Sequence, residues 1–145
     1  MNDLQTLMKR LLSDVFFFYY KAHAFHWNVE GPMFKVYHEF FGEVYADVHA
    51  SVDDIAEQIR ILDEYAPTAI TELYSLKTIS ESDAAGVDSV RMLSELYLDN
   101  ETIKTELLDL FKMASDLNKQ GLADYLAGRH DAHSKLSWMI KSQLK

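Results

Sequence analysis

Apolar residues recur at helical spacing from the start of the chain. Leu4, Leu7, Leu11, Val15 and Phe18 stand three or four residues apart, which predicts a first helix over about Asp3 to Asn28. Val29-Glu30-Gly31-Pro32 breaks it, because glycine takes the backbone angles that end one helix and proline suits the opening of the next. A second helix is predicted from about Met33 to Leu62, with Gly42 its only internal glycine, and Asp63-Glu64-Tyr65-Ala66-Pro67 ends it. The pattern weakens from Thr68 to Gly86, where a short helix through Leu73 and Leu76 precedes a polar turn, Ser80-Glu81-Ser82-Asp83. Met92, Leu93, Leu96, Ile103, Leu107, Leu110 and Phe111 mark a third long helix from about Ser89 to Asn118. Lys119-Gln120-Gly121 is the expected break before a fourth, from about Leu122 to Leu144. There is no internal repeat, low-complexity tract or sustained heptad.

Two pairs of long helices joined by a crossover of roughly 25 residues make an all-α, ferritin-like four-helix bundle rather than the simple up-and-down one. Only five Gly and two Pro in 145 residues leave few places to break the chain, which favours long helices. That length predicts one domain spanning 1–145 and burying about two-thirds of its unfolded surface. Hydrophobic residues at 48% and charged residues at 26% argue against disorder.

The chain has no cysteine, so disulfides and thiolate metal sites are excluded; this fits a reducing, cytoplasmic setting. The apolar run Val15-Phe16-Phe17-Phe18-Tyr19-Tyr20 is short, follows Asp14 and lacks a small-residue cleavage site. It reads as neither signal peptide nor membrane span. The formal charge of −9 and the absence of a basic tail oppose binding to a phosphate backbone, an affinity that comes largely from Lys and Arg. Metal cations suit this balance better.

Di-iron sites inside a single bundle typically use two Glu-x-x-His pairs. The residues three before His23, His26, His38, His49, His130 and His133 are Tyr20, His23, Lys35, Ala46, Ala127 and His130, so that arrangement is excluded. What remains is a cluster at the first break. His26 ends the first helix and His38 lies near the start of the second, so the Gly31-Pro32 turn folds them together. Imidazole and carboxylate ligands suit iron, and the second helix offers Asp53 and Glu57, one turn apart on one face. Asp53, however, is 15 residues beyond His38, roughly 22 Å at 1.5 Å per residue. One subunit cannot bring both to one ion. Two antiparallel copies can, because a two-fold axis near residues 45 to 48 lays His38 of one beside Asp53 of the other and creates two equivalent sites per dimer.

The segment His26-Trp27-Asn28-Val29-Glu30-Gly31-Pro32-Met33-Phe34, with His38-Glu39-Phe40-Phe41 and Asp53-Asp54-Ile55-Ala56-Glu57, resembles the signature of the Dps proteins, or mini-ferritins. His133-Ser134-Lys135-Leu136-Ser137-Trp138-Met139 is similar to the family's closing helix. The resemblance spans almost the whole chain, and the spacings of 12, 15 and 4 residues among His26, His38, Asp53 and Glu57 make it specific. It implies a hollow homododecamer in which Fe(II) is oxidised by peroxide or O2 at two-fold interfaces and stored as Fe(III) mineral. It also implies DNA protection as a frequent but not universal property. In family terms His26, Asp53 and Glu57 supply the tighter iron position. His38 and an aspartate four residues on supply the weaker one, and here that position is Gly42. The missing ligand leaves an alternative open: a metal-binding cage with weak or single-iron oxidation. Glu39, Glu43 or His49 of the partner subunit could substitute.

Other residues carry plainer readings beside functional ones. His23, one turn before His26, could support the ligands. Trp27 could donate an electron beside the iron or fill a dimer core. Phe16, Phe17, Phe18, Tyr19 and Tyr20 cover more than one helical face, which suggests burial against other subunits as well as the bundle. His130 and His133 are expected at the surface or an interface, and Asp116 and Asp124 on a solvated acidic face rather than a three-fold pore. The charge yields a first prediction. A gel-shift at low salt should show no tight complex with duplex DNA, and retarded bands at that salt would overturn the reading.

Overall fold

A computed structural model of the chain describes residues 3–145 and contains five α-helices. They are α1 (Asp3–Asn28), α2 (Phe34–Ile61), α3 (Ile70–Leu76), α4 (Ser89–Asp116) and α5 (Gln120–Gln143). α1 packs on α2 and α4 on α5, α1 also meets α4, and the short α3 lies against α1. Lys21 pairs with Asp99 while Asp14 sits beside Glu106, so α1 and α4 run antiparallel. Asp47 with Arg129 and Ser51 with Tyr125 give the same sense for α2 and α5. This is the expected ferritin-like bundle, its long crossover carrying a short helix.

The helix ends explain the boundaries. Gly31 holds φ +117 and its carbonyl accepts from Phe34 N at 3.0 Å, so the first break is where a glycine is needed. α2 and α4 end instead on Asp63 and Asn118, in the left-handed region at φ 62 and 57. At each, the next amide reaches back to the helix: Glu64 N to Ile59 O at 3.3 Å, and Lys119 N to Ala114 O at 2.8 Å. This is the Schellman closure, with Asp and Asn in glycine's usual role. The last break therefore falls on Leu117–Lys119, and Gln120 and Gly121 belong to α5. The structure moves the expected break forward because Asn118, not Gly121, supplies the stop.

Phe18, Phe25, Phe41, Met8, Leu96 and Ile103 are fully buried, each worth about 1.5–3 kcal/mol against exposure. His133 joins this interior at 2% exposure, which corrects its expected surface or interface location. Its Nδ1 donates to Asn100 Oδ1 at 2.7 Å, and its Nε2 accepts from Arg129 at 3.2 Å. Burial, reinforced by the Arg129 charge, drives its pKa down to about 3, so it is a neutral structural link between α4 and α5.

A polar seam runs between α1 and α4. Buried Lys21 pairs with Asp99 at 2.6 Å. Asp14 accepts from Thr78 N and Thr78 Oγ1, both at 2.6 Å, and from Ile79 N at 3.2 Å, while Ser13 Oγ donates to Leu73 O. These bonds tie the crossover to α1. Burial, then the bond to Asp14 and its charge, push the Glu106 carboxyl up to about 9, with Arg10 opposing. Glu106 is thus protonated at neutral pH and is the donor facing Asp14. Its folded value lies above the ordinary 4.5, so its stabilisation is complete below about pH 4.5 and is lost as pH rises towards 9. Urea midpoints should show Glu106→Gln gaining on the parent between about pH 5 and 9; a gap independent of pH would contradict this.

Candidate metal centre

The Gly31-Pro32 turn brings the end of α1 against the start of α2, where His26 and His38 meet. Their rings stack at 3.8 Å with 16° between planes. Each Nδ1 lies 2.6 Å from the other residue's backbone oxygen: His26 Nδ1 donates to His38 O, and His38 Nδ1 donates to His26 O. A carbonyl only accepts, so both Nδ1 atoms carry the proton. In the neutral ring that leaves the lone pair on Nε2, the tautomer that metal ligation requires. Phe34 covers the other face of His38, its ring centroid 4.9 Å away. The histidines are half-buried, between the core and open solvent.

Gly42 lies directly beneath this pair. A Cβ built there would meet His26 Nδ1 at 3.1 Å and Cε1 at 3.2 Å. The imidazole occupies the space a side chain would need.

At the far end of the same surface, carboxylate oxygens of Asp53, Asp54 and Glu57 all lie within 4.8 Å of one another, and all three residues are exposed. Asp54 was not among the expected ligands; the adjacent acids in Asp53-Asp54 are its signal in the sequence. α2 is one uninterrupted helix from Phe34 to Ile61, so His38 and Asp53 are separated by roughly 22 Å of rod. The fold unites His26 with His38, and Asp53 with Glu57. It does not unite the two pairs within one chain.

Aromatic residues back the histidine end. His23 stacks on Tyr45 at 3.9 Å and 7°, lies 4.2 Å from Trp27, and shares a 3.1 Å hydrogen bond with the Tyr19 hydroxyl. Burial, then the His26 and His49 charges, lower its pKa. Tyr45 joins this cluster although the apolar pattern alone does not single it out. Trp27 is exposed. His130 is half-buried beside Leu108, Phe111 and Ala127, while Asp116 and Asp124 are exposed.

The ferritin-like domain model matches residues 5–145. General stress protein 20U of Bacillus subtilis is 32% identical over 127 residues, 87% of this chain and 86% of that protein. The DNA protection during starvation protein of Brevibacillus brevis is 31% identical, covering 96% and 93%. The crystal structure of Dps from Staphylococcus aureus superposes with a TM-score of 0.93 at 27% identity, covering 99% of this chain and 95% of that one. The chain is a ferritin-like protein of the Dps family. Within a Dps fold, the break that pairs His26 with His38 and the continuous α2 are the features that position the candidate ligands. Among the described residues, no helix is long and apolar enough to cross a membrane.

The glycine under His26 yields a prediction. Gly→Ala inside a helix ordinarily stabilises by about 1 kcal/mol. At Gly42 the new methyl presses on a ring held by one short hydrogen bond and a stack. Gly42→Ala should therefore show no such gain in urea unfolding, and should shift the His26 ring resonances. A full gain with unmoved resonances would show that the ring yields freely.

Proposed function

We propose that this protein binds Fe(II) at sites shared between two antiparallel copies, oxidises it with peroxide or O2, and sequesters ferric mineral inside a twelve-subunit shell. One observation carries the reading: two ligand-bearing half-sites occupy opposite ends of one rigid helix, and neither alone offers a full coordination set. Imidazole with carboxylate is a donor set suited to iron, and the two-fold operation that completes one site completes its twin. Iron is the substrate. Two ferrous ions give up two electrons, and peroxide with two protons leaves as two waters. In this reading His26 with Asp53 and Glu57 of the partner subunit holds the first iron and His38 the second.

Gly42 favours one competing reading: a cage whose second iron position is too weak for paired oxidation. Stopped-flow oxidation separates the two, since a single-iron site is slow and lacks the coupled two-electron phase. The net charge of −9 argues against a DNA-compacting role. Anaerobic Fe(II) titration followed by oxidant should produce the absorbance of ferric product. His26→Ala and Asp53→Ala should each slow it by at least an order of magnitude, roughly the loss expected of one metal ligand. Absorbance that ignores iron, or a His26→Ala protein equal to the parent, would sink the proposal, as would a monomer in solution.

A further inference from the structure

We infer that His49 of the partner subunit fills the ligand position that Gly42 leaves open, so that three imidazoles, rather than two and an aspartate, face the paired iron positions. This rests on the shared-site reading above.

Position 42 provides no donor, and a Cβ there would press on the His26 ring at 3.1 and 3.2 Å. The nearest carboxylates on α2 are Glu39 and Glu43. Both line the groove between α2 and α5 with Phe40 and Met139, and Glu43 also lines a second cavity there with Lys135. Glu39 also sits 3.8 Å from Lys35. Their placement serves the α5 side, and neither accompanies the histidine pair.

His49 is placed differently. At about 100° per residue, His38, Gly42, His49, Asp53 and Glu57 fall within roughly one quadrant of α2. Suppose the two-fold axis lays His38 beside Asp53 of the partner subunit. Moving four residues inward from each then reaches Gly42 on one copy and His49 on the other. They share one level, on facing stripes. His49 is exposed, and its ring rests against Tyr19 at 4.6 Å and 52°. Among the described residues no hydrogen bond occupies its nitrogens. A neutral imidazole is a sound iron ligand, and at this level it restores a donor without adding charge to an already acidic site.

Cobalt(II) under exclusion of oxidant is the probe, because its visible bands report ligands without turnover. The parent should bind two ions per site. His49→Ala, checked for assembly by gel filtration and helicity by circular dichroism, should bind one and lose part of the visible spectrum. Mixed dimers of His49→Ala and His38→Ala chains should regain the second ion, because one of their two sites receives both intact residues. The inference is overturned if His49→Ala binds as many ions as the parent, if the mixture regains nothing, or if the parent itself binds only one. In those cases the shared site stands as long as His26→Ala and Asp53→Ala still abolish binding. A parent that binds no cobalt, or a His26→Ala protein that binds it normally, removes the shared site itself.

Discussion

The stiffness of α2 governs everything that follows from this sequence. A continuous hydrogen-bonded helix from Phe34 to Ile61 cannot fold back on itself, and its glycine at position 42 leaves the ladder intact. Donors fixed near its first turns and acids fixed near its last therefore stay about two dozen ångströms apart. A fold that needed them together within one chain would have to break the helix and forfeit the packing of Phe41, Val44, Val48, Ile55 and Ile59, all buried along it. In the proposed dimer, antiparallel apposition of two identical rods would join unlike ends without that loss.

The bundle interior shows why its own acids are not free to hold a metal. Ferritin-like bundles can hold metal among their own helices, and this one has interior acids, but they are committed. Asp99 neutralises the buried Lys21, Asp14 accepts three hydrogen bonds from the crossover, and Glu106 keeps its proton. Removing one partner from such a seam strands a buried charge, typically a loss of about 3–5 kcal/mol. An incoming cation would have to displace Lys21 or ionise Glu106. The seam is thus a structural alternative to a metal, holding α1, α4 and the crossover in register.

The helices were legible because their apolar spacing is long and regular, and the histidine pair because a glycine-proline break admits few geometries. What stayed hidden had no periodic signal. Asn118 acts as a helix stop only when its backbone takes the left-handed conformation, so the more obvious Gly121 masked it. His133 looks like any polar residue of a mixed-charge helix until Asn100 and Arg129 are seen to satisfy both its nitrogens. Ser13 and Asp14 sit beside a run of apolar residues, and their value lies in backbone groups some sixty residues away. The candidate residues could be read; the mutual bonds between His26 and His38 could not, because they depend on main-chain oxygens.

Gly42 links these strands. In the Dps pattern the position carries an aspartate, so its loss reads first as a defect. The structure gives it a positive role, since a bare backbone is what lets the His26 ring settle where it can stack on His38 while each Nδ1 reaches the opposite carbonyl at 2.6 Å. Restoring a side chain there would supply a carboxylate and disturb the imidazole beside it. A Cβ there needs the His26 ring to give by a few tenths of an ångström. A chain committed to the glycine gains a preset pair of nitrogen donors and must draw its remaining ligands from elsewhere. In the proposed dimer His49 of the partner subunit lies on the same stripe, level with Gly42, and among the described residues no hydrogen bond occupies its nitrogens.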